Sequence, residues 1–125
     1  LHLRFRRQRQ MCIRDRINYD QFEKVDIRLG TIIDAKEYDE LKKPSILLKI
    51  DFGTNIGIKK SSAQLRKNYK CSDLINKQVI AVINFKPKQI GKIISEVLVL
   101  ALPDNESEAI LLSPQIKLEN GVKLY

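Results

Sequence analysis

Apolar and polar positions alternate along most of the chain beyond residue 24, and helical spacing is confined to short stretches. The first element is a helix start. In Ile17-Asn18-Tyr19-Asp20-Gln21-Phe22, Asn18 is placed to cap and Gln21 stands three residues on, as in a capping box. Ile17 and Phe22 are spaced as a hydrophobic staple. The helix must be short, because Val25-Asp26-Ile27-Arg28-Leu29 already alternates. Ile27, Leu29, Thr31 and Ile33 are expected to share one face of a strand running to about Tyr38. A charged turn over Glu37 to Lys43, closed by Pro44, leads to a second strand. There Ile46, Leu48, Ile50 and Phe52 face one way, with Lys49 and Asp51 on the other face. Gly53 and Gly57 bracket a tight turn into a short third strand over Gly57–Lys60.

The spacing predicts one or two helical turns over Ser62 to Tyr69 and a short helix over Ser72-Asp73-Leu74-Ile75, capped by Ser72. Val79 to Ile83 is a β-branched strand ending at Asn84 and Pro87. Ile93 to Leu102, the longest apolar run, predicts a strand buried on both faces. Pro103 to Glu106 is a turn signal, and Ala109 to Leu112 is the returning strand of a hairpin. Asn120-Gly121 turns the chain once more before Leu124-Tyr125. Five strands with short helices, one of them mid-chain, predict an all-β five-stranded OB-fold barrel rather than a β-sandwich.

Charge changes this picture only at one end. The 125 residues hold 23 Lys+Arg against 15 Asp+Glu, a net of +8. Residues 1–16 hold six Arg and one Asp with no period, leaving 17 Lys+Arg against 14 Asp+Glu in the rest. A nucleic-acid arm, a nuclear signal, a transit peptide and a sequencing scar all fit such a tail. Back-translation decides among them: Arg6 to Asp15 reads as CGT CGG CAG CGT CAG ATG TGT ATA AGA GAC, which matches a widely used sequencing-library adapter. Leu1-His2, as CTA CAC, fits the same adapter upstream of its index. Residues 1–16 are therefore expected to be translated adapter outside the fold, and 17–125 to form one domain.

Without the tail, His2 and Cys12 drop out and Cys71 is left with no His. A disulfide within the chain is impossible, which fits a reducing cytoplasm. Zinc sites, His-dependent triads and Cys–His dyads lack their members, so no metal or cofactor is expected. No apolar run approaches the roughly 18 residues of a membrane helix. Asp26, Asp51 and Glu96 have no His, metal-ligand spacing or glycine-rich phosphate loop beside them and read as surface carboxylates. Cys71 follows Lys67 and Lys70 but has no partner base. An enzyme is not expected.

Two basic clusters lie next to strand ends and turns: Lys59, Lys60, Arg66, Lys67 and Lys70, then Lys86, Lys88 and Lys92. In an OB-fold such loops border the nucleic-acid groove, where Lys and Arg neutralise phosphates. The same clusters fit an ordinary solvated surface. Phe52, Tyr69 and Phe85 are the candidate stacking faces, each equally a core or groove-wall residue, and too few for a general single-strand binder. The stretch Ser113–Tyr125 carries Ile116, Leu118, Val122, Leu124 and Tyr125. Such an arm either forms a symmetric homodimer interface or covers the barrel's own open end.

Six segments, KVDIRLGTI (Lys24–Ile32), IDFG (Ile50–Gly53), GIKKSSAQL (Gly57–Leu65), NFKPKQIGK (Asn84–Lys92), SEVLVLALP (Ser95–Pro103) and NGVKLY (Asn120–Tyr125), together resemble the CsaA family. These are small bacterial and archaeal proteins related to the tRNA-binding domains attached to some methionyl- and phenylalanyl-tRNA synthetases. The resemblance covers essentially all of 17–125. It implies an OB-fold, a homodimer built through the N- and C-terminal extensions, and no enzymatic activity. It also implies tRNA or other structured RNA as a partner, and a proposed chaperone role in protein export with unfolded polypeptide and the Sec export motor as partners.

Carried over by position, Asn84, Lys86, Gly91 and Ser95 match the NxKP…G…S signature of the wider tRNA-binding family, and Ser61 and Ser62 match the serine closing its third strand. The implied nucleic-acid set is Lys59, Lys60, Ser61, Ser62, Arg66, Lys67, Asn84, Lys86, Lys88, Lys92 and Ser95. The implied dimer contacts are Tyr19, Phe22, Val122, Leu124 and Tyr125. One departure stands out: Val97-Leu98 occupies the place where the wider family usually has Gly-Met. Gly admits close approach of an RNA backbone and Val does not. That favours the CsaA branch, and leaves a peptide-binding secretion chaperone with little tRNA affinity as the alternative. A continuous positive groove would mark RNA, and an apolar cleft rimmed by scattered charge would mark peptide.

Overall fold

A computed structural model describes residues 15–39 and 44–125. The expected adapter lies almost wholly in 1–14, and the middle of the charged turn in 40–43, both outside the described residues. The chain runs through α1 (Tyr19–Glu23), β1 (Ile27–Tyr38), β2 (Ser45–Asp51), β3 (Ile58–Ala63), α2 (Cys71–Leu74), β4 (Gln78–Val82), β5 (Lys88–Ile90), β6 (Ile93–Ser95), β7 (Leu98–Val99), β8 (Ala101–Pro103) and β9 (Ala109–Leu111). The capping box of α1 forms as expected: Asn18 accepts the Gln21 N–H and Gln21 accepts the Asn18 N–H, each at 2.9 Å.

Five antiparallel strands form one curled sheet in the order β3-β2-β1-β4-β7, with α2 between the third and fourth. The curl brings β3 round to the segment ahead of β7, where the Glu96 N–H donates to the Lys60 carbonyl at 2.8 Å. This is an OB-like all-β fold. Its core is the inward row Ile46, Leu48, Ile50 and Phe52 of β2 and its exit, packed on Ile32, Val79, Ala81, Leu74, Leu65 and Val97. Gly30 makes room for that row: a Cβ there would lie 2.6 Å from Ile50 Cγ2 and 2.8 Å from the Phe52 ring.

Ile27, Leu29 and Thr31 share one face of β1 as expected, and Ile27 and Leu29 are buried there, outside the main core cluster. The residues of β1 turned to that cluster are Gly30 and Ile32, and the register against β2 slips between Ile32 and Asp34. Ile33 is the extra residue of a β-bulge and stands 41% exposed. Three expectations are corrected. The apolar run Ile93 to Leu102 is not one doubly buried strand. It breaks into β6, β7 and β8, with Ile94, Leu98 and Leu102 each about half exposed. The break falls where the backbone around Ser95 and Glu96 turns to bond β3. Ser62 to Tyr69 forms no helix, because β3 continues to Ala63 and only one helical-type bond, Tyr69 N–H to Leu65 C=O at 3.0 Å, follows. Finally, α2 begins at Cys71 rather than after Ser72, and the Lys70 N–H donates to the Asp73 carboxylate at 3.2 Å.

Candidate nucleic-acid interface

The second basic cluster sits on a small hairpin standing out from the barrel. β5 and β6 pair Lys88 with Ser95, Gln89 with Ile94 and Ile90 with Ile93 across the two-residue turn Gly91-Lys92. Gly91 has φ +63°, the left-handed value a primed hairpin turn requires. The loop entering the hairpin is clamped by Asn84, whose side chain accepts the Asp26 N–H at 3.0 Å and donates to the Lys24 carbonyl at 2.6 Å. The signature asparagine thus ties the hairpin's base to the start of β1.

Between hairpin and barrel runs an open groove of about 560 Å³, lined by Ser62, Phe85, Lys86, Lys88, Ile90, Ser95, Glu96, Val97 and Leu98. Lys88 and Ile90 lie two residues apart on β5 and turn to one side, while Phe85 and Lys86 reach the groove from the bend ahead of the strand. Lys86, Lys88 and Lys92 take part in none of the ion pairs among the described residues, all of which belong to Arg28 or Arg66. Phe85 is 56% exposed and forms the groove's one aromatic wall.

The serines close the barrel. Ser61 is buried and donates to the Val97 carbonyl at 3.0 Å. Ser95 Oγ accepts the Ser62 N–H and donates to the same Val97 carbonyl, both at 3.3 Å. Glu96 adds a third tie, its Oε1 accepting the Lys60 N–H at 3.1 Å. The groove's edge is therefore held by hydrogen bonds between β3 and residues 95–97.

The first basic cluster is not brought into this groove. Arg66 is bound by Glu37 at 2.7 Å and by Asp39, so two carboxylates balance its charge. Lys67 is exposed in the turn beyond β3, Lys59 is half-buried on β3, and neither lines the groove. Lys60 faces the outer side of the sheet beside Lys49 and Leu47. Phe52 is core. Tyr69 packs against the core, its hydroxyl accepting the Leu111 N–H at 3.1 Å and the Lys77 ammonium lying 5.9 Å from its ring centre.

Val97 borders the groove from within. Its side chain is 5% exposed and belongs to the core cluster, so a valine there also fills the barrel. Leu98, half exposed, is the residue of that pair that meets solvent. The lining roles of Ile90, Glu96 and Leu98 escaped the sequence reading; only the two-residue spacing from Lys88 pointed to Ile90. Among the described residues no group of three or more His, Cys, Asp or Glu is placed to hold a metal ion, and no helix is long and apolar enough to cross a membrane.

A second open groove of about 620 Å³ lies against Ile27, Leu29 and Ile80, with Leu118, Val122, Leu124 and Tyr125 of the C-terminal arm. The arm pairs with β1: the Leu29 N–H donates to Val122 C=O at 3.1 Å and the Leu124 N–H to Ile27 C=O at 2.9 Å. Of the expected dimer contacts, Val122, Leu124 and Tyr125 lie on this arm, while Tyr19 and Phe22 lie on α1 with ring centres 6.5 Å apart.

A family model described as "Putative tRNA binding domain" matches residues 27–123, from the start of β1 to the C-terminal arm. The chain belongs to this tRNA-binding domain family. Among curated relatives, the methionine–tRNA ligase of Pyrococcus horikoshii is 34% identical over 108 residues, 86% of this chain and 14% of the ligase. That of Methanococcoides burtonii is 33% identical over 112 residues, 90% of this chain and 16% of the ligase. The chain thus spans about one seventh of these relatives. Solved structures of similar size also match. A CsaA chaperone of Bacillus anthracis has 43% identity and a TM-score of 0.82, covering 88% of this chain and 99% of that one. The CsaA chaperone of Picrophilus torridus has 48% identity and the same TM-score, covering 88% and 100%. The chain is a CsaA-like member of the tRNA-binding domain family.

Proposed function

We propose that the protein is a cytoplasmic, non-enzymatic RNA-binding module of the CsaA type that holds tRNA in the groove beside β5–β6. The observation that carries this reading is the conjunction of Lys86, Lys88 and the exposed Phe85 ring on one wall of that groove. Ammonium groups without a carboxylate partner neutralise phosphates, and an exposed ring offers one base a stacking face. Two lysines against Glu96 leave a small positive surplus, which predicts binding of modest strength and clear salt dependence.

The test is tRNA binding by fluorescence anisotropy over a salt series, on the full chain with the six arginines of residues 1–16 replaced by glutamine. Binding that weakens with salt, and weakens again in Lys86→Ala/Lys88→Ala, supports the reading. Flat anisotropy at low salt refutes it.

The groove's apolar lining, Phe85, Ile90 and Leu98, favours a second reading: a chaperone that holds extended unfolded polypeptide, with the Sec export motor as a further partner. In either case we propose a homodimer through the C-terminal arm and the apolar sheet face beneath it, where Val122 and Leu124 remain over two-fifths exposed. Sedimentation equilibrium tests this, with Leu124→Glu expected to give monomer.

A further inference from the structure

The register of the sheet brings together three lysines that are scattered in the sequence. Asp34 of β1, Lys49 of β2 and Lys60 of β3 stand side by side in one row across three strands. Lys36 is the next outward residue of β1, opposite Leu47. Neighbouring strands lie about 4.8 Å apart, so the Lys49 and Lys60 side chains leave the sheet as near neighbours. Like charges directly opposite are destabilising. Among the described residues Lys36, Lys49 and Lys60 enter no ion pair, and Asp34, opposite Lys49, is the one carboxylate set against the three lysines in this row. Between them is a shallow hollow of about 230 Å³, floored by Leu47 and by Ile93 and Ile94 of the β5–β6 hairpin.

The hollow and the groove share their walls. The hairpin borders both, through Ile93 and Ile94 on one and Lys88, Ile90 and Ser95 on the other. So does β3, through Ser61 and Ser62. A chain passing over this common seam meets Lys86 and Lys88 first and the row next.

We infer that Lys36, Lys49 and Lys60 form a second contact strip for the phosphodiester backbone of the RNA held in the groove. This rests on the RNA-binding reading above and extends its footprint onto β1, β2 and β3. The strip supplies affinity without sequence preference, because ammonium groups read phosphate and not base edges. It also gives the like-charge pair its counter-charge, so the ligand removes a repulsion that the free protein carries.

The experiment is the same salt series on the same full-length background, with Lys36→Ala/Lys49→Ala, Lys36→Arg/Lys49→Arg and Asp34→Asn. Each lost phosphate contact lowers the slope of log K against log salt by about 0.7–0.9. The alanine pair is therefore expected to lower the slope by about 1.4–1.8 and weaken tRNA binding, and the arginine pair to restore both. Asp34→Asn is expected to tighten binding at low salt. These side chains lie on the surface, so circular dichroism should show an unchanged fold. If the parent protein binds and Lys86→Ala/Lys88→Ala weakens it, while the alanine pair leaves affinity and slope unchanged, the strip is refuted and the groove stands. A parent that binds no tRNA refutes both. An acidic peptide displaced by the alanine pair while tRNA affinity holds overturns the RNA assignment of the strip alone.

Discussion

β1 carries two unlike surfaces on the same outward side. Before the bulge its outward residues are Ile27, Leu29 and Thr31, facing Ile80 and Val82 of β4 and the C-terminal arm. Thr31 there donates to Asn120 Oδ1 at 2.6 Å. After the bulge they are Asp34 and Lys36, beside Lys49 and Lys60. The first end is apolar and partly covered by the protein's own arm; the second is charged and bare. The bulge at Ile33 makes this possible. Side chains in a strand alternate strictly, so one extra residue exchanges odd for even positions without turning the strand over. Without it, Asp34 would point at the core, where a carboxylate without partners is costly. On the two proposals above, β1 serves assembly at one end and ligand at the other.

The largest expected effect tests that exchange directly. Ile32 and Ile33 are consecutive isoleucines on opposite faces, one with no exposure and the other 41% exposed. Ile32→Ala is expected to cost about 2–5 kcal/mol, through lost burial and a core cavity. Ile33→Ala is expected to cost under about 0.5 kcal/mol. Urea unfolding of the two variants measures the difference, and equal losses would place the bulge elsewhere.

Next in size is the hold of the arm. Gly121 has φ +91°, and a Cβ there would lie 2.5 Å from the Phe52 carbonyl oxygen. Gly121→Ala therefore meets both left-handed strain and backbone contact, a cost of about 1–3 kcal/mol. The loss should be local. The Leu29 amide, bonded to Val122 C=O, should exchange with solvent faster, while the Ile32 amide, bonded to Lys77 C=O at 2.9 Å, keeps its protection. Equal acceleration of both amides would mean that the arm is integral to the barrel rather than laid on it.

How far the sequence could reach follows from the range of each interaction. The capping box of α1, the inward row of β2 and the β8–β9 hairpin depend on residues within a few positions of each other, and all were legible. The bulge was not, because alternation read along β1 alone runs unbroken through Ile33. It appears only against β2. The site divides in the same way. Lys86 and Lys88 are near neighbours in sequence and both line the groove. The capture of Arg66 by Glu37 and Asp39 joins residues 27 or more apart in sequence, the row Asp34–Lys49–Lys60 joins residues on three strands, and both need the folded register. Ser61 and Ser95 read as ligand residues in a motif, and in the fold their hydroxyls also bond across the barrel seam; a motif does not say whether its partner is a ligand or another strand.

Ser61→Ala sharpens that last distinction. It removes the donor to the Val97 carbonyl at 3.0 Å, leaving that oxygen to Ser95. A loss of about 1 kcal/mol in stability is expected, the usual net worth of one hydrogen bond. The slope of tRNA affinity against salt should not change, since no cation is lost. A changed slope with unchanged stability would move Ser61 from the barrel seam to the ligand.

The smallest effect lies off both surfaces of β1 and serves as their control. Asp104 opens the β8–β9 turn and accepts the Glu108 N–H at 3.0 Å, the Asn68 side-chain amide at 3.0 Å and the Glu106 N–H at 2.8 Å. These donors, led by the Glu108 N–H, favour the ionised carboxylate and hold it below its ordinary range. A carboxyl whose pKa is lower folded than unfolded stabilises above its unfolded value, and that stabilisation is lost as pH falls through the folded one. The turn is thus indifferent to pH near neutrality and loosens only in acid. The Glu106 and Glu108 amide protons should report a midpoint below the ordinary carboxylate range, absent in Asp104→Asn. An ordinary midpoint would mean that the turn is held by its backbone alone. Because Asp104 touches neither the lysine strip nor the arm, Asp104→Asn should leave both tRNA affinity and oligomeric state where they were.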